Sequence, residues 1–320
     1  LHYLTVSKAH NIAIRALAQE LGLKVNEYGV FKGAQRVAGE TEESVYAAVG
    51  LPFIPPELRE DRGEIEAARA GNLPRLIELN DIKGDLHSHS KWTDGHDSIE
   101  AMAEAAKARG LSYLAITDHS RRLAVAHGLD PQRLRRQLAE ISGTVIPGVT
   151  LLKGIEVDIL EDGTLDLPDP VLRELDIVIA AVHSGFHLSR ARQTGRILRA
   201  LANPLVTMLA HPTGRLIEAR EPYDVDMLQI VRKAAACGRF LELNAHPERL
   251  DLSDAYCRMA KDEGVLVSVN SDAHSVAQFD NLQYGIGQAR RGWLTRKDVL
   301  NTRTWAELRG LTGVARRSAG

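Results

Sequence analysis

Cysteine is nearly absent from this 320-residue chain, with only Cys237 and Cys257 present. Two thiols cannot build a disulfide framework, so the usage fits a reducing compartment. Long apolar runs are also missing. The longest, such as Ile177–Val182, are strand-sized, far short of the roughly 20 residues of a membrane-spanning helix. No secretory signal opens the chain, and a cytoplasmic protein with no membrane partner is expected. Neither sign of charge dominates: 40 Lys and Arg stand against 42 Asp and Glu, a net charge of −2. That excludes a strongly basic nucleic-acid binder while leaving local patches open. No repeat of 20–50 residues and no low-complexity segment interrupts the chain. What remains is 44% hydrophobic and 26% charged residues, which excludes a disordered, collagen-like or coiled-coil chain. The length suits one or two domains. The first residue is Leu1 rather than Met, so the chain reads as part of a longer protein.

Residues 1–56 read as a small α/β unit. Ser7 is placed to cap a helix running to about Leu21, with Ala9, Ile12, Ala13, Ala16 and Leu17 as its apolar face and Gly22 just past its end. Val25–Phe31 reads as a strand interrupted at Gly29. Thr41 can cap a second helix that Gly50 stops. Leu51-Pro52-Phe53-Ile54-Pro55-Pro56 cannot form a regular element, because proline removes donors and restricts its neighbours. Glu64–Ala70 and Leu73–Leu79 read as short helices within a connector spanning 57–81.

From Ile82 onward, in a domain covering 82–320, short β-rich runs alternate with helical stretches. The runs are Lys83–His87, Tyr113–Thr117, Leu151–Val157, Ile177–Val182, Val206–Ala210, Phe240–Leu243 and Leu266–Asn270. Between them lie helical segments such as Ser98–Arg109, Pro131–Ile141, Arg190–Ala202 and Val225–Ala236. Seven strands alternating with helices argue for a parallel sheet. Closure into a barrel fits this length, and an open doubly wound sheet is the alternative.

The residues able to hold metal fall at the ends of these runs. The first run leads into Asp85-Leu86-His87-Ser88-His89 and Asp94. The second ends in Thr117-Asp118-His119, and the third carries Glu156. The fourth ends in His183, the fifth in His211 and the seventh in Asp272-Ala273-His274. Six of seven predicted strands therefore deliver His, Asp or Glu at the carboxyl edge, where parallel α/β folds build their sites. In β geometry His87 and His89 point to one side, so the pair can chelate a single ion. A lone strand-end histidine is usually structural, but this coincidence at one edge predicts a multinuclear site. His and carboxylate donors without Cys suit Zn²⁺, Mn²⁺ or Fe²⁺.

These motifs, with Ala210-His211-Pro212-Thr213-Gly214-Arg215, make residues 82–310 resemble the polymerase-and-histidinol-phosphatase (PHP) metal-dependent phosphoesterases. The resemblance implies a distorted (β/α)7 barrel with three divalent ions, Mn²⁺ or Zn²⁺. It places one ion on His87, His89, Glu156 and Asp272. Glu156 bridges to a second ion held also by His183 and His211, and Asp94, His119 and His274 hold the third. The catalytic candidates are Glu156, Asp272 and His183. Such centres lower the pKa of water and neutralise phosphoryl oxygens, and Arg215 and Arg249 are candidate phosphate clamps.

Tyr3-Leu4-Thr5-Val6-Ser7, Asn11, Arg15, Lys24–Tyr28 and Leu51–Arg62 resemble the palm end and thumb of family X DNA polymerases, whose bacterial members carry a PHP domain just after this point. The resemblance implies that Tyr3, Ser7, Asn11 and Arg15 contact DNA or nucleotide. Family members have glycine and phenylalanine where this chain has Val6 and Leu4. The polymerase's Mg²⁺-binding aspartates belong to the palm, ahead of Leu1, and 1–60 holds no carboxylate pair suited to that role. This stretch alone is not expected to polymerise DNA. The expectation is a 3′–5′ exonuclease acting on gapped or primer-template DNA within a base-excision-repair polymerase, associated with the bacterial nucleoid. The alternatives are a small-molecule phosphatase of the histidinol-phosphatase type, or a catalytically silent DNA-binding scaffold.

Overall fold

A computed structural model of the chain describes residues 4–312. It divides into two compact units between Arg75 and Leu76, inside the stretch read as a connector.

In the first unit, α1 (Lys8–Glu20) starts at Ser7, whose Oγ accepts the His10 N–H. The helix buries a different stripe from the one predicted. His10, Ile14 and Ala18 face inward, while Ile12 is 57% exposed. The cause is tertiary: His10 Nε2 lies 2.9 Å from the Tyr46 hydroxyl, and its Nδ1 pairs with Glu64. The strand expected over Val25–Phe31 is instead a hairpin. β1 (Lys24–Asn26) and β2 (Gly29–Lys32) pair antiparallel, and β3 (Gln35–Ala38) adds a third strand. Gly29 has a φ of +140°, and a Cβ there would sit 2.6 Å from the Ala38 carbonyl oxygen, so the turn needs glycine. α2 (Glu42–Ala48) begins at the Thr41 cap, and α3 (Glu64–Arg69) follows. The helix expected at 73–79 does not form. Pro74 disfavours helical backbone at Leu73, and the Ile77 N–H donates to the Leu294 carbonyl at 3.0 Å.

The second unit contains all seven expected strands: β4 (Gly84–Asp85), β5 (Tyr113–Ile116), β6 (Thr150–Asp158), β7 (Ile177–Ala181), β8 (Met208–Leu209), β9 (Phe240–Asn244) and β10 (Val267–Asn270). They are parallel and lie in chain order across the sheet. A doubly wound sheet would reverse its order at a switch point, so the barrel alternative holds. The intervening helices are α4 (Ile99–Ala108), α5 (Pro131–Gly143), α6 (Asp169–Leu172), α7 (Arg190–Ala202), α8 (Met227–Cys237) and α9 (Asp254–Asp262), with α10 (Leu282–Arg291) and α11 (Trp305–Leu311) after β10. Among the described residues no helix is long and apolar enough to cross a membrane.

Strand alternation separates two apolar layers. Leu114, Ile116, Val178 and Ala180 join the cluster under the helices, whereas Tyr113, Ala115, Ile177, Ile179 and Met208 form a second cluster with Leu308 of α11. Gly84 makes room for one of these inner side chains, since a Cβ there would lie 2.2 Å from the Tyr113 ring. The first and last strands do not form a continuous ladder. Ser88 and Ala273 make a parallel bridge past the strand ends, with the His89 N–H donating to the Ala273 carbonyl at 2.8 Å. Lower down, the Asn301 carboxamide fills the gap. It donates to the Gly84 carbonyl at 2.8 Å and the Val269 carbonyl at 2.7 Å, and accepts the Val269 N–H at 3.0 Å. Asn301 is fully buried, so Asn301→Ala strands three backbone groups and is expected to destabilise the domain by about 2 kcal/mol or more. Urea unfolding of the metal-free protein measures this, and a loss under about 0.5 kcal/mol would refute the role.

Candidate metal centre

Seven parallel strands turn their carboxyl ends to one rim, and the nine residues singled out there converge. Beyond β4, Ser88 ties the chain down, accepting no slack: its N–H donates to Thr117 Oγ1 at 3.0 Å and its Oγ to the Ala115 carbonyl at 2.7 Å. His87 and His89 flank it with ring centroids 5.1 Å apart. Glu156 on β6 is the common neighbour. Its Oε1 lies 2.8 Å from His211 Nε2 and 3.2 Å from His183 Nε2. Its Oε2 lies 2.8 Å from His119 Nδ1, 3.4 Å from His87 Nε2 and 3.6 Å from His89 Nε2. Asp272 Oδ1 stands 3.0 Å from His89 Nε2 and 3.4 Å from His87 Nε2. Asp94 Oδ2 reaches His119 Nε2 at 3.4 Å and His274 Nε2 at 3.5 Å.

Three sets bring one donor atom from each member within 4.8 Å of the others: His89, Asp94, His119 and His274; His87, His89 and Asp272; and His119, Glu156 and His183. They overlap more than the expected partition. His89 belongs with Asp94 as well as with Asp272, and His119 belongs with Glu156 as well as with Asp94.

Charge in this cluster is balanced mainly by the histidines, with Arg249 beside Asp272. Burial would drive the Glu156 carboxyl up, but His119, His183 and His87 hold it well below its ordinary range. Against burial, the Glu156 and Asp94 carboxylates raise His119 to about 10. Against burial again, Glu156 and Asp158 raise His183 to about 8. His89 goes the other way, pushed to about 3 by burial and by the neighbouring His274 and His119. Several donors nevertheless lack partners. His87 Nε2, His89 Nδ1 and His211 Nδ1 are buried without a hydrogen bond, and His119 Nδ1 and Glu156 Oε2 meet in an ion contact at 2.8 Å. Buried polar groups in native proteins are almost always satisfied. Imidazole and carboxylate groups gathered in this way at one rim are groups that a divalent ion binds once the histidine protons leave.

Comparison with known proteins agrees with this chemistry. The PHP domain model matches residues 85–246, and the DNA polymerase beta thumb model matches residues 1–60. The chain belongs to the PHP family. A DNA polymerase/3′-5′ exonuclease, PolX, of Bacillus subtilis is 45% identical over 308 residues, 95% of this chain and 54% of the relative. The chain thus spans about half the length of that relative. A probable phosphatase of Thermoanaerobacter sp. is 32% identical over 68% of the chain and 89% of its own length. Among solved structures, histidinol phosphate phosphatase from Lactococcus lactis, complexed with zinc, L-histidinol and phosphate, has a TM-score of 0.50. It is 17% identical, covering 65% of this chain and 93% of that one, and shows the shared fold.

The PHP rim is braced by residues that the search for ligands passed over. Asp158, two positions after Glu156, pairs with His183 Nδ1. Glu242 and Asn244 of β9 contact the ligands from below, with Glu242 Oε1 2.7 Å from His87 Nδ1 and Asn244 Nδ2 2.9 Å from Asp272 Oδ2. Their signal was available in Phe240-Leu-Glu-Leu-Asn, where polar residues alternate with leucine in a wholly buried strand. Of the two arginines singled out, Arg249 has its Nε 3.7 Å from Asp272 Oδ2 and a buried Nη1 without a partner. Arg215 Nε donates to the Arg249 carbonyl at 2.8 Å and its Nη2 to the Leu250 carbonyl. In the thumb unit, the Ser7 side chain caps α1, Asn11 is half-buried, and exposed Arg15 donates from Nε to the Val25 carbonyl at 3.1 Å. Tyr3 lies outside the described residues.

Because His119 and His183 are raised to about 10 and about 8, both carry protons at neutral pH in the metal-free PHP domain and must lose them to ligate. Mn²⁺ uptake is therefore expected to release protons and to strengthen by at least about tenfold from about pH 6 to about pH 8. Calorimetric titrations in buffers of different ionisation enthalpy measure both. Uptake with no proton release would contradict the assignment.

Proposed function

We propose that this chain is the hydrolytic portion of a DNA repair polymerase. In this reading its PHP domain cleaves phosphodiester bonds at DNA 3′ ends as a 3′–5′ exonuclease on gapped or primer-template DNA. The observation that carries the reading is the pairing, in one chain, of a polymerase-type thumb with a rim of nine convergent His and carboxylate side chains. A small-molecule phosphatase has no use for the former. Polymerisation belongs to the longer protein that the reading implies, and its place of work is the bacterial cytoplasm, at the nucleoid.

The reading assigns three divalent ions, manganese or zinc, to His87, His89, Asp94, His119, Glu156, His183, His211, Asp272 and His274. When bound, such ions supply a hydroxide nucleophile near neutral pH and neutralise charge on the phosphoryl oxygens. Glu156, touching donors on both sides, holds the cluster together. Arg249 presents its partnerless Nη1 to a phosphoryl oxygen, where a guanidinium bonds well. Arg215 is engaged by two carbonyls and serves by fixing the Arg249 loop. Ser7, Asn11 and Arg15 lie near the start of the thumb, and the terminal nitrogens of Arg15 suit a DNA phosphate.

A second reading, a phosphatase of the histidinol-phosphate type, draws on the phosphatase relatives and the Lactococcus lactis fold. Activity on a 3′-recessed primer and on histidinol phosphate, each with Mn²⁺, Zn²⁺ or Mg²⁺, decides between them. The exonuclease reading expects stepwise loss of 3′ nucleotides and negligible release of inorganic phosphate from histidinol phosphate. The reverse pattern would establish the phosphatase, and absence of bound metal would leave the scaffold.

The division of labour between the two units is open to test as well. Glu156→Ala and His183→Ala are expected to lower cleavage of both DNA and a nitrophenyl thymidine phosphate by more than about tenfold, because each 1.36 kcal/mol of lost stabilisation is tenfold in rate. Arg15→Ala should weaken DNA binding and flatten its salt dependence by about one counterion, while sparing the small substrate. Equal loss on the small substrate in all three variants would defeat the division.

A further inference from the structure

Six of the seven barrel strands lead into a ligand at the rim, and β9 does not. It supplies Glu242, which is fully buried. Four donors fill the Glu242 carboxylate. His87 Nδ1 lies at 2.7 Å and Asn270 Nδ2 at 2.8 Å from Oε1. The His211 N–H lies at 2.8 Å and Asn244 Nδ2 at 3.3 Å from Oε2. A carboxylate so surrounded can only accept. The proton on the His87–Glu242 bond therefore belongs to His87 Nδ1, and Nε2 is the nitrogen left to offer a lone pair to an ion. That nitrogen is the one aimed at Glu156 and Asp272, 3.4 Å from each, and it has no hydrogen bond of its own.

The second contact acts on backbone rather than on a ring. His211 and Asp272 both have positive φ, +26° and +54°, a region that non-glycine residues rarely adopt. β9 holds both. Glu242 takes the His211 N–H, and Asn244 takes Asp272 Oδ2 at 2.9 Å. Ligands contributed by three separate strand ends are thereby fixed to the one strand that contributes none.

We propose that Glu242 is a positioning residue of the metal centre, setting the tautomer of His87 and the backbone of His211 so that their ring nitrogens face the ions. The inference rests on the metal-centre reading above and assigns Glu242 no contact with ion or substrate. Partners in this position tune metal affinity by about 10–100-fold.

Glu242→Gln is the direct test, since the amide keeps the shape but must turn an NH₂ group toward one pair of donors. Protein stripped with EDTA is titrated with Mn²⁺, with free ion followed by electron paramagnetic resonance and folding by circular dichroism. Wild-type uptake is expected, with affinity lowered at least about tenfold in Glu242→Gln. In a His87→Ala background the same change should cost clearly less, because the two residues act through one nitrogen. Glu242→Asp, which keeps the charge but shortens the reach, should also weaken uptake and serves if the glutamine variant does not fold. Unchanged affinity in either folded variant, or full additivity with His87→Ala, overturns the inference. Failure of the wild-type protein to take up Mn²⁺ would instead overturn the metal-centre reading.

Discussion

A carboxylate buried as completely as that of Glu156 costs several kcal/mol unless positive charge surrounds it. Here the surrounding charge is histidine: His87 beyond β4, His119 beyond β5 and His183 beyond β7. That requirement constrains the whole barrel. The strands must lie in chain order with their carboxyl ends level, or the imidazoles would not meet around one side chain. It also sets the electrostatics. Glu156 is held ionised by His119, His183 and His87, and in turn raises their affinity for protons. The cluster is thus a set of ligands whose charges are balanced by protons that a cation can replace.

Two of the rim residues also carry strained backbone. Left-handed backbone at His211 and Asp272 persists only where neighbours over-determine it. The neighbours are the Glu242 and Asn244 side chains, both on a strand with no ligand. Asn270, at the end of β10, closes the arrangement by donating to Glu242 while accepting from Ser268 at 2.7 Å. Three polar residues that would be costly in an apolar barrel interior are instead mutually satisfied, and the layer of Tyr113, Ile177, Ile179 and Met208 forms the apolar core of the same barrel.

The convergence of these residues was legible in the sequence because parallel strands make position along the chain equivalent to position at a rim. An apolar run ending in His or Asp states both the element and the edge. Glu242 and Asn244 carried the same information in weaker form, since a glutamate inside a strand reads as a face and not as a partner for residues 155 and 28 positions away. Local pattern failed where long-range contacts decided. The buried stripe of α1 passes through His10 because Tyr46 and Glu64 receive it, and no periodicity of apolar residues can report that. At 73–79, apolar residues spaced for a helix are drawn instead into the second unit, where the Ile77 N–H finds Leu294. The Val25–Phe31 run looked like one strand because its turn lacks an Asn-Gly pair. Asn26 Oδ1 accepts the Tyr28 N–H at 2.9 Å and makes the reversal, with Gly29 beyond it.

Among the described residues there are two buried clusters of histidine and carboxylate, and their difference separates a structural role from a chemical one. In the first unit, both ring nitrogens of His10 are occupied, by Glu64 and by the Tyr46 hydroxyl. The two Glu64 oxygens also take the N–H groups of Asp61 and Arg62 at 2.8 and 2.7 Å. That cluster is closed: each donor finds an acceptor, and an added ion would have to break a bond already made. At the barrel rim the same residue types leave three imidazole nitrogens, of His87, His89 and His211, buried and unbonded, while His119 Nδ1 and Glu156 Oε2 share only an ion contact. An unsatisfied buried polar atom costs about 1–3 kcal/mol, so a protein that needed only stability would have resolved them as the first unit does. Three such atoms, beside a carboxylate oxygen held by ion contacts alone, are a deficit that a ligand placed among them can remove, and the divalent cation is a ligand that binds imidazole and carboxylate together.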